Sequence, residues 1–369
     1  MAAANMPFRA DHVGSILRSA SLKEARAKRE SGGITAEQLT AVEDTEIRKI
    51  IAKQEAIGLK AITDGEYRRS WWHYDFLGGL DGVSLESAEQ GIQFQGVQTK
   101  AQVVMIRGKL GFSTTHPFIE HFKFLKANTK QTPKMTIPSP SMLYYRGGRK
   151  AIAPGLYPDQ ENYWHDLGQA YAGAVKGFAD AGCRYLQIDD CSFAYFCDPE
   201  QVKMLTARGD DAKTLPDKFA GMINAAVAKK PADMTTSIHV CRGNFRSTFI
   251  SSGGYEPIAD LLFNRTNVDA YFLEWDSDRA GDLAPLRFLP KGKKVVLGLV
   301  TTKTGALETK DAIKRRIDEA TKYTSLDQLC LSPQCGFAST EEGNALAEDE
   351  QWAKLTMVVD LAREVWGDK

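Results

Sequence analysis

The sequence has no excess of charge of either sign and no long hydrophobic run. Its 369 residues include 47 Lys and Arg and 47 Asp and Glu, so the formal net charge is zero. This balance argues against a nucleic-acid-binding protein that depends on a broad basic surface. No apolar stretch approaches the roughly 20 residues that span a bilayer. Residues 1–5 lack the basic and apolar regions of a secretory signal, so we expect a cytoplasmic protein without membrane contact.

Cysteine is sparse and irregularly spaced. Six cysteines in a chain of this length do not form a dense disulfide framework, and reduced thiols, some of them metal ligands, fit this pattern better. The six are Cys183, Cys191, Cys197, Cys241, Cys330 and Cys335. We interpret Cys330, inside an apolar run, as a core residue and Cys183, Cys191 and Cys197 as structural.

Short apolar, β-branched runs recur along the chain and predict parallel strands that are covered on both faces. Eight are recognised: Phe8–Val13, Ala61–Asp64, Lys134–Ile137, Arg184–Ile188, Thr236–Val240, Ala270–Leu273, Lys294–Val300 and Gln328–Leu331. Amphipathic stretches between them predict helices over Thr35–Gly58, Asn162–Gly182, Pro216–Lys229, Thr309–Tyr323 and Glu342–Trp366. Eight alternations predict an α/β fold, a (β/α)₈ TIM barrel, as one catalytic domain over residues 1–369. A doubly wound open sheet would alternate in the same way.

The segment 75–126 interrupts this rhythm. Within it, Gly91–Phe112 alternates apolar and polar residues, as strands do. We therefore predict a β-hairpin inserted after strand 2, acting as a lid or an edge element.

Four metal-ligand residues follow or end predicted strands. His239 and Cys241 stand two apart on one strand and therefore point to the same side. Glu274 ends the next strand, and Cys335 follows the last. Active sites of barrels lie where the strands end, and His, Cys and carboxylate ligands are those of zinc. Taken singly, each residue has a plainer reading, as packing for the cysteines or as a salt-bridge partner for Glu274.

Other strand ends are polar as well. His12 and Ser15 lie around Gly14, which permits a close approach of the backbone, and Glu66 and Asp189 end the second and fourth strands. Carboxylates around one rim suit a substrate ammonium group. Pairing with nearby arginines, such as Arg68 or Arg69, is the alternative.

Six motifs together resemble the catalytic domain of cobalamin-independent methionine synthase, specifically its short single-barrel relatives. They run in order along nearly the whole chain: residues 11–15 (DHVGS), 64–66 (DGE), 186–190 (LQIDD), 238–241 (IHVC), 272–274 (FLE) and 332–336 (SPQCG). The resemblance implies zinc ligation by His239, Cys241, Glu274 and Cys335. It also implies that Ser15, Glu66 and Asp189, with His12 beside them, bind the amino acid homocysteine.

The chain departs from the long enzymes of this family at two places. A His after strand seven, thought to protonate the leaving group, is replaced by Lys303 at or near that position. The Trp that stacks on folate in the strand-three loop is replaced by Tyr144, as a candidate donor-binding residue. Lys303 and, as an alternative acid, His73 are therefore the candidate catalytic residues.

The expected activity is zinc-dependent transfer of a methyl group to the thiol of homocysteine, giving methionine, with 5-methyltetrahydrofolate as one candidate donor. A thiol bound to zinc loses its proton and becomes a nucleophile at neutral pH. Two alternatives remain open. One is alkyl transfer to another thiol or from a sulfonium, methylcorrinoid or epoxide donor, or C–S cleavage; the other is a divergent barrel with a closed, structural zinc. A homodimer is also open.

Overall fold

A curled sheet of seven parallel strands forms the centre of the structure, a computed structural model that describes residues 6–367. Its strands are β1 (Ala61–Ile62), β6 (Thr132–Pro138), β7 (Tyr185–Asp190), β8 (Thr235–Val240), β9 (Ala270–Glu274), β10 (Lys294–Val300) and β11 (Leu329–Pro333). They lie side by side in this order; β2 to β5 belong to smaller sheets described below. This arrangement is consistent with a TIM-like barrel.

The predicted first strand is reduced to a single bridge. Residue Ala10 pairs in parallel with Leu331 of β11, and no regular strand covers Phe8–Val13. On the opposite side, side chains replace a backbone ladder: Lys134 Nζ donates to the His12 carbonyl (2.6 Å) and Thr63 Oγ1 to the Gly14 carbonyl (2.6 Å). The first segment is therefore attached to β1 and β6 by side chains, which a pattern of apolar residues does not predict.

Helices surround the sheet and follow the predicted order. They are α1 (Ala20–Glu30), α2 (Ala36–Ala56), α3 (Tyr74–Leu77), α4 (Pro117–Asn128), α5 (Ser141–Tyr145), α6 (Gln160–Asp180), α7 (Ser192–Tyr195), α8 (Pro199–Arg208), α9 (Leu215–Val227), α10 (Ala259–Arg265), α11 (Lys310–Ala320) and α12 (Glu348–Trp366). The predicted start of α2 is confirmed, because Thr35 and Gln38 form a reciprocal capping box. The last helix begins at Glu348 and not at the predicted Glu342. Gly343 has a positive φ of 77°, which a right-handed helix does not contain. No helix of the described residues is long and apolar enough to cross a membrane.

The segment 75–126 contains two antiparallel pairs and helix α4. Strand β2 (Asp81–Ser87) pairs with β5 (Gln102–Gly111), and β3 (Gln93–Phe94) pairs with β4 (Val97–Gln98). The main pairing therefore joins β5 to residues upstream of the predicted range Gly91–Phe112. Strand β5 packs on α6, where Gly177 leaves room for the ring of Phe112. This contact gives β5 a buried face, on which Val104, Ile106 and Leu110 lie.

Candidate metal centre and cavity

Four side chains meet at the carboxyl ends of the parallel strands. His239 and Cys241 come from the end of β8, Glu274 from the end of β9, and Cys335 from the turn after β11. All four are buried, and one ligand atom from each lies within 4.8 Å of the others. The sulfur atoms of Cys241 and Cys335 are 3.5 Å apart. Within residues 6–367 this is the one such group of three or more potential ligands.

The donor set fits a tetrahedral zinc ion. Zinc takes thiolate, imidazole and carboxylate ligands, and a Zn–S distance of about 2.3 Å places two thiolates of a tetrahedron about 3.8 Å apart. The observed sulfur separation of 3.5 Å is close to that value. Two sulfurs, one nitrogen and one oxygen also favour zinc over magnesium or calcium, which prefer oxygen ligands alone.

Protons occupy the two thiols and the imidazole when no cation is bound. A hydrogen bond with Cys191 raises the pKa of the Cys241 thiol well above its ordinary value, and one with Cys241 does the same for Cys335. Burial lowers the pKa of His239, but the hydrogen bond to Asp189 and nearby negative charges outweigh burial and raise it to about 9. A divalent cation would displace these protons, as expected for a metal site.

A carboxylate on β7 holds the His239 ring. Asp189 Oδ1 lies 3.3 Å from His239 Nδ1 and also accepts from Gln187 Nε2 (2.7 Å). The other ring nitrogen, Nε2, lies 3.3 Å from the Gln334 carbonyl. Carboxylates commonly orient metal-binding histidines in this way. Asp189 is predicted to contact the substrate; the structure places it against His239, which the sequence did not reveal.

One cavity contains three of the predicted substrate residues beside the candidate metal ligands. Ser15, Glu66 and Asp189 line it together with His239, Cys241 and Cys335. Glu66 Oε1 accepts from Thr136 Oγ1 (3.0 Å) and lies 3.5 Å from Arg69, whereas Oε2 is buried without a hydrogen-bond partner. Burial raises the pKa of Glu66, an effect that the charge of Arg69 opposes. The Glu66 carboxylate therefore keeps an open acceptor beside the metal ligands.

His12 and Tyr144 are not among the residues that line this cavity. The ring of His12 turns toward β1, where Nε2 lies 3.2 Å from the Ala61 carbonyl, and burial lowers its pKa to about 4. Tyr144 donates to Asp210 (2.8 Å) and accepts from Gln160 (2.9 Å), and its ring packs against Trp164. Both side chains are held by neighbouring elements, so the structure does not bring them to the substrate residues.

The two predicted proton donors also lie outside the lining set. Lys303 Nζ donates to Asn244 Oδ1 (3.2 Å), and Asn244 lines the cavity, so Lys303 lies behind Asn244. His73 is fully buried, and neither ring nitrogen has a hydrogen-bond partner. Burial and the charge of Arg146 lower its pKa well below 6.5. Neutral His73 would therefore not serve as an acid near pH 7.

Sequence reasoning did not assign several of the residues that line the cavity to the site, among them Trp72, Phe94, Arg146, Cys191 and Asn244. Cys191, interpreted from the sequence as structural, lies close enough to hydrogen-bond with Cys241; its position directly after the Asp189-Asp190 pair was the available signal. Phe94 comes from the small β3–β4 hairpin and packs on Phe245 with 5.4 Å between ring centres. The interpretation of Cys330 as core is confirmed, since it is fully buried in an apolar cluster.

Comparisons with known proteins identify the family of the chain. The family model described as cobalamin-independent synthase, catalytic domain, matches residues 8–364. The chain is 54% identical to the uncharacterized protein YxjH of Bacillus subtilis over 98% of its own length and 95% of that protein. It is 23% identical to a 5-methyltetrahydropteroyltriglutamate–homocysteine methyltransferase of Bacillus velezensis, covering 95% of this chain and 42% of that enzyme.

A solved structure extends the likeness to the fold. A Listeria monocytogenes protein, described as a candidate vitamin-B12-independent methionine synthase, superposes with a TM-score of 0.79 at 44% identity, covering 98% of this chain and 99% of that one. Motif order, the convergence of His239, Cys241, Glu274 and Cys335, and the family match over residues 8–364 all agree. The chain belongs to the cobalamin-independent methionine synthase family, as a relative of its catalytic domain.

Proposed function

We propose that this protein is a zinc-dependent methyltransferase that converts homocysteine to methionine. One observation carries the proposal: the cavity places the open Glu66 acceptor beside His239, Cys241 and Cys335. A substrate that bears both a thiol and an ammonium group fits this pairing. We further infer that the first segment closes a (β/α)₈ barrel through its bridge to β11, with residues 75–126 inserted over the mouth of the barrel.

The residues of the chain divide the work between the two ends of the amino acid. His239, Cys241, Glu274 and Cys335 would hold the zinc ion, which when bound allows the substrate thiol to lose its proton at neutral pH. Glu66 and Asp189 attract the ammonium group. Ser15 Oγ accepts from the Ala338 amide (3.2 Å), which leaves its own proton free for a polar group of the substrate.

Methyl transfer breaks the bond between the methyl carbon and the donor and forms a sulfur–carbon bond. The donor leaves with the electron pair of the broken bond, and a folate donor also takes up a proton. Holding both reactants next to each other at the metal ligands would convert their encounter into an intramolecular step. Lys303 remains the candidate acid, and its ammonium must leave Asn244 to reach the cavity.

A methylated folate is the first candidate donor, as the name of the Bacillus velezensis relative suggests. A different donor, such as a sulfonium, a methylcorrinoid or an epoxide, is the second. One observation favours keeping it: neither Tyr144 nor Lys303, the residues predicted to serve folate, lines the cavity. Trp72 and Phe94 supply its aromatic walls instead.

The test measures methionine by mass spectrometry after zinc-replete protein is mixed with homocysteine and 5-methyltetrahydropteroyltriglutamate. We expect product from the wild type and from Cys330→Ala, whose thiol lies in the core away from the site. Cys241→Ala should give none. Product that persists in Cys241→Ala would refute the zinc site. Absence of product from wild type that binds zinc and homocysteine would discard folate, and the alternative donors would be tested next.

A further inference from the structure

The guanidinium of Arg146 lies in the cavity without an anionic partner. Arg146 lines the same cavity as Glu66, Asp189 and the metal ligands. Its Nη2 donates to the Tyr195 hydroxyl (3.3 Å), and the guanidinium lies 5.6 Å from the centre of the Tyr195 ring. Its Nε is buried without a hydrogen-bond partner. None of the ion pairs found in residues 6–367 includes Arg146. A charge held in this way is unfavourable unless a ligand supplies the counter-charge.

Arg146 is half-buried, and the fully buried arginines of the described residues are placed differently. Arg18 donates to backbone carbonyls, including that of Ala338 (2.7 Å). Arg69 lies 3.5 Å from Glu66. Arg242 packs over the Tyr255 ring at 4.4 Å; its guanidinium nitrogens have no hydrogen-bond partner, but it is not among the lining residues. Arg146 is therefore the arginine that the described residues present to the cavity.

No carboxylate that lines the cavity forms an ion pair with Arg146. His73 stays neutral near pH 7, because burial and the charge of Arg146 lower its pKa. Asp190 also lines the cavity, but its carboxylate accepts from the hydroxyls of Ser141 and Ser192 and from the Phe193 amide. The remaining carboxylates of the lining, Glu66 and Asp189, contact Arg69 and His239 instead.

The segment that carries Arg146 follows the strand that lies between those leading to the two anions, and all three side chains line one cavity. Strand β6 lies between β1 and β7, and Arg146 follows α5, which follows β6. Glu66 follows β1 and Asp189 lies on β7. An amino acid carries an ammonium and a carboxylate on one carbon atom. The acids Glu66 and Asp189 match the ammonium, and the guanidinium of Arg146 matches the carboxylate. Arginine binds carboxylates through paired, charge-assisted hydrogen bonds.

We propose that Arg146 binds a carboxylate of a substrate in this cavity. The inference rests on the proposed function, and it adds a recognition residue to it. Two sources carry this chemistry: the α-carboxylate of the amino acid and a carboxylate on the alkyl donor. The methyl-transfer chemistry itself does not involve Arg146, which acts by positioning the substrate.

The first arm measures binding of the amino acid by calorimetry on zinc-replete protein. The probes are L-methionine and 3-(methylthio)propylamine, which is methionine without its carboxylate. Arg146→Met removes the charge, and Arg146→Lys keeps it without the paired geometry. If the carboxylate is that of the amino acid, Arg146→Met weakens L-methionine binding about 10- to 100-fold and leaves the amine unchanged. Arg146→Lys should fall between, and Arg149→Met, an exposed arginine three residues on, should match the wild type.

The second arm measures binding of 5-methyltetrahydrofolate, whose glutamate bears carboxylates. A loss there, with L-methionine binding unchanged, assigns the carboxylate to the donor and supports the proposal. Unchanged affinity for both ligands in folded Arg146→Met overturns it. If Arg146→Met does not fold, two other measurements decide. The proposal is overturned if the wild type binds L-methionine and 3-(methylthio)propylamine equally well and if Arg146→Lys binds folate as the wild type does. Failure of the wild type to bind L-methionine would refute the proposed function, whereas wild-type binding of L-methionine and folate that Arg146→Met leaves unchanged would overturn only the role of Arg146.

Discussion

Replacing Asp189 with Asn tests whether the contact to His239 supports the metal site. Asp189 Oδ1 lies 3.3 Å from His239 Nδ1, both side chains are buried, and Gln187 Nε2 donates to the same carboxylate oxygen. Asparagine keeps the size of the side chain and removes its charge, so the imidazole loses basicity and a fixed orientation. Loss of such a partner typically lowers metal affinity 10- to 100-fold, which corresponds to about 1.4–2.7 kcal/mol.

The assay is competition for zinc between the protein and a chromophoric chelator at neutral pH, without substrate. This readout separates support of the metal from any contact of Asp189 with the ammonium group. Asp190→Asn is the matched control, because it removes the same charge one residue along. The Asp190 carboxylate contacts Ser141, Ser192 and the Phe193 amide rather than His239. Zinc affinity in Asp189→Asn equal to that of the wild type, or an equal loss in Asp190→Asn, would refute the reasoning.

Three further predictions concern substrate affinity, stability and specificity. Burial raises the pKa of Glu66 above 4.5, so this carboxyl takes up a proton while the pH is still above 4.5. L-methionine binding by the wild type should therefore weaken as the pH falls toward 4.5, and Glu66→Gln should not show this pH dependence. Lys134 and Asp11 form an ion pair of 2.9 Å with both side chains fully buried, so Lys134→Met should reduce the free energy of unfolding in urea by about 3–5 kcal/mol; a loss below about 1 kcal/mol would contradict this. Phe94→Ala should raise the affinity for ethionine relative to methionine by up to about tenfold in calorimetry, because the ring lines the cavity. Val97→Ala, on the same hairpin but outside the lining, should leave that ratio unchanged.

The pattern of residues along the strands determined the metal centre. His239 and Cys241 stand two apart on a strand, so their side chains must share a face, whatever surrounds them. Glu274 ends the neighbouring strand and Cys335 follows the last, and parallel strands deliver such residues to one edge of the sheet. The chemistry of these four residue types then indicates zinc. This part of the reasoning needed only local periodicity and strand order.

Residues outside regular strands were not determined in this way. His12 belongs to a segment that forms one bridge rather than a strand, so alternation does not tell which way its ring turns. Lys303 lies in a loop and Tyr144 in the short helix α5, and the directions of their side chains depend on hydrogen bonds to Asn244 and Asp210. A sequence match to the positions of catalytic residues in relatives says nothing about these bonds.

Only the tertiary structure decided what completes the cavity. Phe94 comes from the small β3–β4 hairpin, far along the chain from Phe245, yet the two rings pack against each other. Arg146 has its place because α5 follows the strand between β1 and β7. Local sequence sets which face of a strand a side chain occupies. Contacts between distant segments set which side chains share a cavity, and these depend on the packing of the whole chain.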